Sequence, residues 1–261
     1  MSIPVYILGL QNHFRGDVLN SELKKFKIDP EIVWGPDVNQ ELKLIQSMTN
    51  QSFAKFSINR EIKDHEVSCS IGHLRMYEKF RQSPDEWALF LEDDAICIKN
   101  PKHFFDSLPK MKQPIQIFLH DGPGTNLKLN EFSKLKTLGL TRRLDPQYGA
   151  YGYMLNKPAV QLILNSKVTR LISSADWPFL WPRKIKFYVS DQVYFSHPKD
   201  TTNSIIGVRI NEKVKIKSYL PDIFRINQGL HLGISFHEII HKEFTVKLLR
   251  IVLQIKRKVW K

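Results

Sequence analysis

The sequence predicts an α/β fold, and three observations support this prediction. The chain has 261 residues, 42% of them apolar, which is enough to bury the core of one sizeable domain or two small ones. Residues 3–34 follow the strand, helix and strand pattern of a βαβ unit. Residues 87–91 form a continuous apolar run, as in a strand buried on both faces, and the run stops at three consecutive carboxylates.

The first elements in the chain build the βαβ unit. Branched and aromatic residues at 3–8 predict the first strand. Asp17 or Asn20 is expected to cap a helix that ends before residue 29, and residues 31–34 predict the next strand.

The middle of the chain leads into the acidic strand. Residues 38–64 are mixed and polar, which predicts loop with short helices. Residues 64–80 carry apolar or small side chains at helical spacing, with Asp64 as the expected N-cap. Ser83-Pro84 ends this helix before the apolar run begins.

Three further elements follow the acidic strand. The apolar run at 115–119 predicts a strand whose end lies beside it. Gly149 and Gly152 interrupt a strand-like segment, which indicates a backbone closely approached by a ligand or a neighbour. Pro158 lies at the start of a predicted helix, and residues 186–189 predict a short strand.

The three acids at 92–94 are the first functional signal. Adjacent carboxylates repel one another unless a cation or a hydrogen-bond donor faces them, and a divalent metal is the simplest partner. An extended backbone would place Glu92 and Asp94 on one face and Asp93 on the other. Open α/β sheets bind ligands at this carboxyl end of a strand, although a solvated acidic loop is the alternative.

Charge and composition limit the partners. The formal net charge of +13 indicates an anionic partner or surface. No zinc finger and no aromatic RNA-binding motif is visible, so we expect no nucleic acid. Cys69 and Cys97 are the two cysteines, and neither lies in a CxxC or zinc-ligand spacing. The first ten residues lack signal-peptide features, and no apolar window is long enough to span a bilayer, so we expect a soluble or peripheral protein.

Two late segments have unusual composition. Residues 173–182 combine Asp176 with two tryptophans and two prolines, as in sugar sites, where a ring stacks on the sugar and an acid binds its hydroxyls. A packed tryptophan pair beside a capping aspartate is the alternative. Residues 236–261 predict a cationic amphipathic helix, which could dock on a membrane surface or pack on the domain.

Three motifs, in this order, resemble the glycosyltransferase family 25 enzymes of lipopolysaccharide and lipooligosaccharide biosynthesis. They are the helix 66–73, the DxD-like strand end 89–94 and the glycine-rich segment 149–155. Gly72 replaces the usual serine of the first motif, and Tyr151 enlarges the third. The resemblance extends over about residues 3–200 and fades in the tail.

The resemblance implies a GT-A type single domain over residues 1–235, with a mixed, mostly parallel central sheet flanked by helices, followed by the helix at 236–261. It implies inverting transfer of a hexose, most often galactose from UDP-galactose, onto a lipopolysaccharide or other cell-surface glycan with a β-linkage. Mn²⁺ or Mg²⁺ would neutralise the pyrophosphate. Lipid-linked acceptors would place the enzyme in the cytoplasm, on the inner face of the cytoplasmic membrane, where the basic helix meets anionic lipid.

The resemblance also assigns roles to residues. Asp94 is expected to bind the metal, with Glu92 as a further candidate ligand and with Glu92 and Asp93 orienting the ribose or metal-bound water. His197 is a candidate ligand from its position after a late strand, not from the resemblance. The donor site is expected to include Leu8, Arg15, Asp37, His73, Glu92, Asp93, Gly149, Tyr151 and Gly152. An inverting transfer needs a base, for which Asp176 is the first choice, Asp191 the second and Asp121 the third.

Two other classes of function stay open at this point. The first is a non-catalytic, basic α/β protein that binds polyanions through charge alone. The second is a nucleotidyl- or phosphotransferase, although the sequence contains no P-loop or kinase motif.

Overall fold

The computed structural model describes residues 3–10, 15–49, 51, 61–120, 128–129, 135–143, 149–165 and 185–198. Three sequence-based predictions lie outside these residues: Asp121, the tryptophan-rich segment that contains Asp176, and the basic C-terminal helix. The domain boundary at 235 likewise stays a prediction.

The described residues form five α-helices, one 3₁₀ turn and ten strands. The helices are α1 (Asp17–Lys25), α2 (Leu42–Met48), α3 (Asp64–Gln82), α4 (Lys102–Ser107) and α5 (Lys157–Asn165), and the 3₁₀ turn is Lys136–Leu138. The strands are β1 (Val5–Gly9), β2 (Glu31–Trp34), β3 (Trp87–Glu92), β4 (Ile96–Cys97), β5 (Ile115–Phe118), β6 (Lys128–Leu129), β7 (Leu140–Arg143), β8 (Gly152–Asn156), β9 (Lys186–Ser190) and β10 (Phe195–Ser196).

Eight of these strands form one mixed sheet in the order β2-β1-β3-β8-β5-β9-β7-β6. β1 pairs in parallel with β2 and β3, and β5 pairs in parallel with β9. β8 lies antiparallel between β3 and β5, and β7 runs antiparallel to β9 and β6. Six of the eight strands therefore point the same way, which confirms the predicted α/β fold with a mixed, mostly parallel sheet.

The sheet is covered on both faces, and alternate residues of β1 and β3 enter the two cores. Ile7 and Leu89 pack in the core that includes residues of α1, whereas Tyr6 and Phe90 pack in the core that includes residues of α3 and α5. Burial on both faces is the reason that both strands read as continuous apolar runs. A third cluster joins Ile45 of α2 to the start of α3.

The helix starts differ from prediction by one position. α1 begins at Asp17, with Gly16 as its N-cap, and α3 begins at Asp64, with Lys63 as its N-cap. The predicted capping by Asp17, Asn20 or Asp64 is therefore wrong. In α3 the side chain of Glu66 accepts a hydrogen bond from the Lys63 N–H at 3.0 Å, so an acid in the first turn satisfies the helix start.

A two-stranded ribbon lies at the carboxyl edge of the large sheet. It pairs β4 antiparallel with β10, and Phe195 of β10 also bridges to His120. Among the described residues, no helix is long and apolar enough to cross a membrane.

Candidate functional site

The carboxyl ends of β1 and β3 place the candidate residues together. Leu8 of β1 is paired with Glu92 of β3 in the parallel register. On the other side of β3, the antiparallel strand β8 begins at Gly152, opposite Leu91. The glycine-rich segment before β8 and the acids after β3 therefore meet at one edge of the sheet.

The three acids do not alternate as an extended strand would require. β3 ends at Glu92, and Asp93 and Asp94 form a turn that is closed by a hydrogen bond from the Ala95 N–H to the Glu92 carbonyl at 3.1 Å. The expectation that Glu92 and Asp94 share one face is wrong because the turn changes the direction of the chain. Glu92 contacts α3, whereas Asp93 and Asp94 both contact Arg15.

Arg15 bridges the second and third acids. Its Nη2 lies 3.0 Å from Asp93 Oδ1 and 3.1 Å from Asp94 Oδ2, and its backbone N–H donates to Asp93 Oδ2 at 3.1 Å. Burial raises the pKa of Asp93, and Asp94 adds to the rise, against the opposing effect of Arg15. The arginine thus supplies one of the cations that the acidic run was expected to need.

His197 supplies the second cation. Its Nε2 lies 3.1 Å from Asp94 Oδ2, and its Nδ1 lies 2.9 Å from the carbonyl oxygen of Pro198. The hydrogen bond to Asp94 raises the pKa of His197 to about 8, against the lowering effect of burial. Burial acts to raise the pKa of Asp94, but His197 and Arg15 outweigh it and hold that pKa below its usual range.

The other oxygen of Asp94 is the unusual atom of the site. Asp94 Oδ1 is buried and has no hydrogen-bond partner among the described residues. Buried carboxylate oxygens almost always have a partner, so this oxygen is one that a water molecule or a cation would satisfy. Asp94 together with His197 therefore fits an oxygen- and nitrogen-binding divalent cation.

Glu92 lies with two side chains of α3. Its Oε1 is 3.4 Å from His73 Nε2 and 3.6 Å from Cys69 Sγ. On the far side of the imidazole, His73 Nδ1 is 2.7 Å from the Tyr153 hydroxyl, which in turn lies 2.6 Å from the Tyr77 hydroxyl. This buried chain of contacts fixes the His73 ring and directs its Nε2 toward Glu92.

The glycine-rich segment contributes an aromatic wall. Gly149 has a positive φ of 99°, and its carbonyl oxygen lies 2.9 Å from His120 Nε2. The ring of Tyr151 lies 4.2 Å from His120 and 5.4 Å from His197, measured between centroids. His120 was not singled out as a site residue, and its position directly after the β5 apolar run was the available signal.

Gly152 confirms the predicted close approach. A Cβ added there would lie 2.9 Å from Phe195 Cβ, so the neighbour that requires glycine is β10 of the small ribbon. Gly72 is similar, because an added Cβ would lie 2.3 Å from Leu8 Cδ1. The side chain of Leu8 fills the space that a serine at position 72 would need.

Two predicted residues are engaged in local structure. Asp37 is buried and its Oδ1 accepts hydrogen bonds from the N–H groups of Asn39 and Gln40, which stabilises its own turn. Asp191 is exposed after β9, where its Oδ1 accepts a hydrogen bond from Thr141 Oγ1 at 2.8 Å.

The family assignment rests on a match over most of the chain. The family model described as glycosyltransferase family 25 (LPS biosynthesis protein) matches residues 2–174. This chain belongs to glycosyltransferase family 25. No curated protein matches it.

A family 25 glycosyltransferase uses a sugar donor and an acceptor, so the edge described above is the candidate active site. The matched residues include α3, the acidic turn and the glycine-rich segment. Asp176 lies two residues beyond the match, and His197 lies further along the chain. The contact of His197 with Asp94 is thus an observation of the structure alone.

Proposed function

We propose that this glycosyltransferase transfers a hexose, galactose from UDP-galactose as the first candidate, with inversion to give a β-linkage. The acceptor is a lipopolysaccharide or another cell-surface glycan. The observation that carries the proposal is the buried, unpartnered Asp94 Oδ1 beside His197, in the acidic turn of a family 25 chain.

Asp94 and His197 are the residues that would hold Mn²⁺ or Mg²⁺. When bound, the ion neutralises the charge that develops on the diphosphate as the bond to the sugar breaks. Glu92 contacts Cys69 and His73 of α3 instead, so it is not placed to bind this ion, and we propose that it orients the ribose once it leaves α3. Arg15 holds Asp93 and Asp94 in place, and Tyr151 provides an aromatic surface beside His197.

The acceptor hydroxyl must lose a proton as it attacks the anomeric carbon from the side opposite the diphosphate. We propose Asp176 as the base, because the resemblance places an acid there and the tryptophan-rich segment suits a sugar. Asp191 is the second candidate. It is exposed to solvent, and its Oδ1 accepts a hydrogen bond from Thr141.

A donor panel tests the reaction class. The full-length protein is incubated with UDP-sugars and Mn²⁺, and slow hydrolysis of each donor is measured. We expect hydrolysis of one UDP-hexose and its loss in Asp94→Ala, while Asp106→Asn, which changes an exposed acid on α4, keeps the wild-type rate. Binding of any polyanion without donor hydrolysis would instead support the non-catalytic alternative.

The base is tested by Asp176→Asn and Asp191→Asn, each measured for turnover and for UDP-sugar binding. Loss of turnover with intact donor binding in Asp176→Asn alone supports the assignment, because an amide cannot take the proton. Near-normal turnover in Asp176→Asn rules it out.

We further propose that the tail holds the enzyme on the inner face of the cytoplasmic membrane. The cationic face predicted for residues 236–261 supports attraction to anionic lipid. Removal of residues 242–261 should reduce binding to anionic liposomes and leave transfer to a soluble acceptor mostly intact. Equal liposome binding by both forms would contradict this role.

A further inference from the structure

α3 and β3 bring together a thiol, an imidazole and a carboxylate. Cys69 and His73 are four residues apart, so they share one face of α3. Glu92, the last residue of β3, contacts both. One ligand-type atom from each of the three side chains lies within 4.8 Å of the others. Sequence spacing alone does not reveal this group, because its third member comes from a strand.

Two of the three separations match those of a tetrahedral zinc site, and the third, between Cys69 and His73, is no longer than 4.8 Å. Zinc bond lengths of about 2.3 Å to sulfur and about 2.1 Å to nitrogen and oxygen, at tetrahedral angles, place sulfur about 3.6 Å and nitrogen about 3.4 Å from a shared oxygen ligand. Cys69 Sγ lies 3.6 Å and His73 Nε2 lies 3.4 Å from Glu92 Oε1. Small adjustments of the side chains would complete the geometry.

The surroundings of His73 also fit a metal ligand. Its Nδ1 is held by the buried Tyr153 hydroxyl at 2.7 Å, and an imidazole bound to zinc through one nitrogen usually has the other nitrogen fixed in this way. Cys69 and His73 are buried, whereas the Glu92 side chain is 22% exposed. The group is therefore closed toward the core and open toward the edge of the sheet, where a fourth ligand can enter.

We propose that Cys69, His73 and Glu92 form a binding site for one Zn²⁺ ion. The thiolate ligand favours zinc over Mg²⁺ or Mn²⁺, so this site differs from the one at Asp94 and His197, which has an imidazole but no thiolate. Binding releases the thiol proton to solvent. Bound zinc would hold the Glu92 carboxylate on α3 and away from a donor; this consequence rests on the proposed function, whereas zinc binding itself does not.

Cobalt gives a direct test, because Co²⁺ takes the place of Zn²⁺ and a cobalt–thiolate bond produces a charge-transfer absorption band. The full-length Cys97→Ser protein is titrated with Co²⁺ and then with Zn²⁺. Cys69 is then the remaining cysteine of the chain. We expect the band to appear, to saturate at one ion per chain and to disappear when Zn²⁺ displaces Co²⁺. The Cys69→Ser protein should lose the band, and the wild type should keep it.

The absence of the band in folded Cys97→Ser protein would overturn the proposal, as would its retention in Cys69→Ser protein. If Cys69→Ser does not fold, as judged by circular dichroism, the Cys97→Ser titration decides alone. Donor hydrolysis is not measured here, so a failed zinc site and a failed glycosyltransferase assignment give different results. If Cys69 and Glu92 form only a hydrogen bond and bind no metal, no variant shows the absorption band.

Discussion

Replacement of Gly152 by alanine should both destabilise the protein and disturb the candidate site. The added Cβ would lie 2.9 Å from Cβ, 3.1 Å from Cγ and 3.2 Å from Cδ2 of Phe195. Carbon atoms prefer separations of about 3.5–4.0 Å, so β8 and β10 must separate by at least about half an ångström. The fully buried Phe195 cannot move easily, because its N–H donates to the Leu119 carbonyl and its strand pairs with β4.

The expected magnitude follows from two opposing effects. Overpacking of this kind costs about 1–3 kcal/mol, whereas alanine in place of glycine recovers up to about 1 kcal/mol of backbone entropy. We therefore expect a net loss of about 1–2 kcal/mol in the free energy of unfolding. His197 follows Phe195 by two residues, so the same displacement should weaken its 3.1 Å contact with Asp94 and reduce kcat/KM by about tenfold or more.

Urea unfolding and donor turnover measure the two effects, and Gly35→Ala is the matched control. There the nearest atom to an added Cβ is Leu10 Cδ2 at 2.8 Å, the far end of a flexible side chain that can move away. Gly35→Ala should therefore cost less than Gly152→Ala. If Gly152→Ala is as stable as Gly35→Ala, the close approach of β8 to β10 is not the constraint that we infer.

Three other predictions concern stability, pH and thiol reactivity. Asn156→Ala should lower the free energy of unfolding, measured in urea, by about 3 kcal/mol or more, and a loss below about 1 kcal/mol would contradict this. The Asn156 side chain accepts hydrogen bonds from the N–H groups of Ile115 and Ala159 and donates to the carbonyls of Met111 and Gln113. In metal-free buffer, the contact of His197 with Asp94 should add no more than about 1 kcal/mol to the free energy of unfolding. This contribution is fully present below the unfolded pKa of about 6.5 and is lost as pH rises through about 8, so a difference between wild type and His197→Gln that stays constant from pH 6 to 9 would refute the prediction. Burial raises the pKa of Cys97 to about 11, which leaves little thiolate at pH 8. In a Cys69→Ser protein, iodoacetamide at pH 8 should therefore alkylate Cys97 about two orders of magnitude more slowly than a free thiol, and an equal rate would show that burial does not protect Cys97.

Local patterns were sufficient to predict most elements of the fold. The continuous apolar runs of β1 and β3 follow from burial on both faces of a covered sheet. The 3.6-residue spacing of α3 holds in its second half, where Met76, Tyr77 and Phe80 pack on the sheet, whereas residues 66–73 are all buried. The helix N-caps were not predictable in the same way. In α3 the start is satisfied by a Glu66 side chain that reaches back to Lys63, which competes with capping by Asp64.

The sequence indicated which segments form the candidate site, but not which of their residues contact one another. Gly152 indicated a close neighbour, yet Phe195 lies 43 positions further along the chain, and no local pattern relates the two. The run Glu92-Asp93-Asp94 indicated a cation site. The assumption of an extended backbone, however, grouped Glu92 with Asp94 on one face, which is wrong. Hydrogen bonding within the turn, rather than strand pleating, decides that Glu92 contacts α3 and the other two acids contact Arg15.

The charges around the acidic turn bear on whether donor binding needs a metal. Arg15 and His197 bring two positive charges to Asp93 and Asp94, so these four side chains are close to neutral when His197 is protonated. The diphosphate of the proposed UDP-sugar donor adds two negative charges, which this set alone does not balance. We therefore expect Mn²⁺ to strengthen UDP binding to the wild type about tenfold or more in calorimetric titrations, and to have little effect on Asp94→Ala. Equal affinity with Mn²⁺ and with a chelator would show that other cationic residues balance the diphosphate, and the metal role of Asp94 would then be wrong.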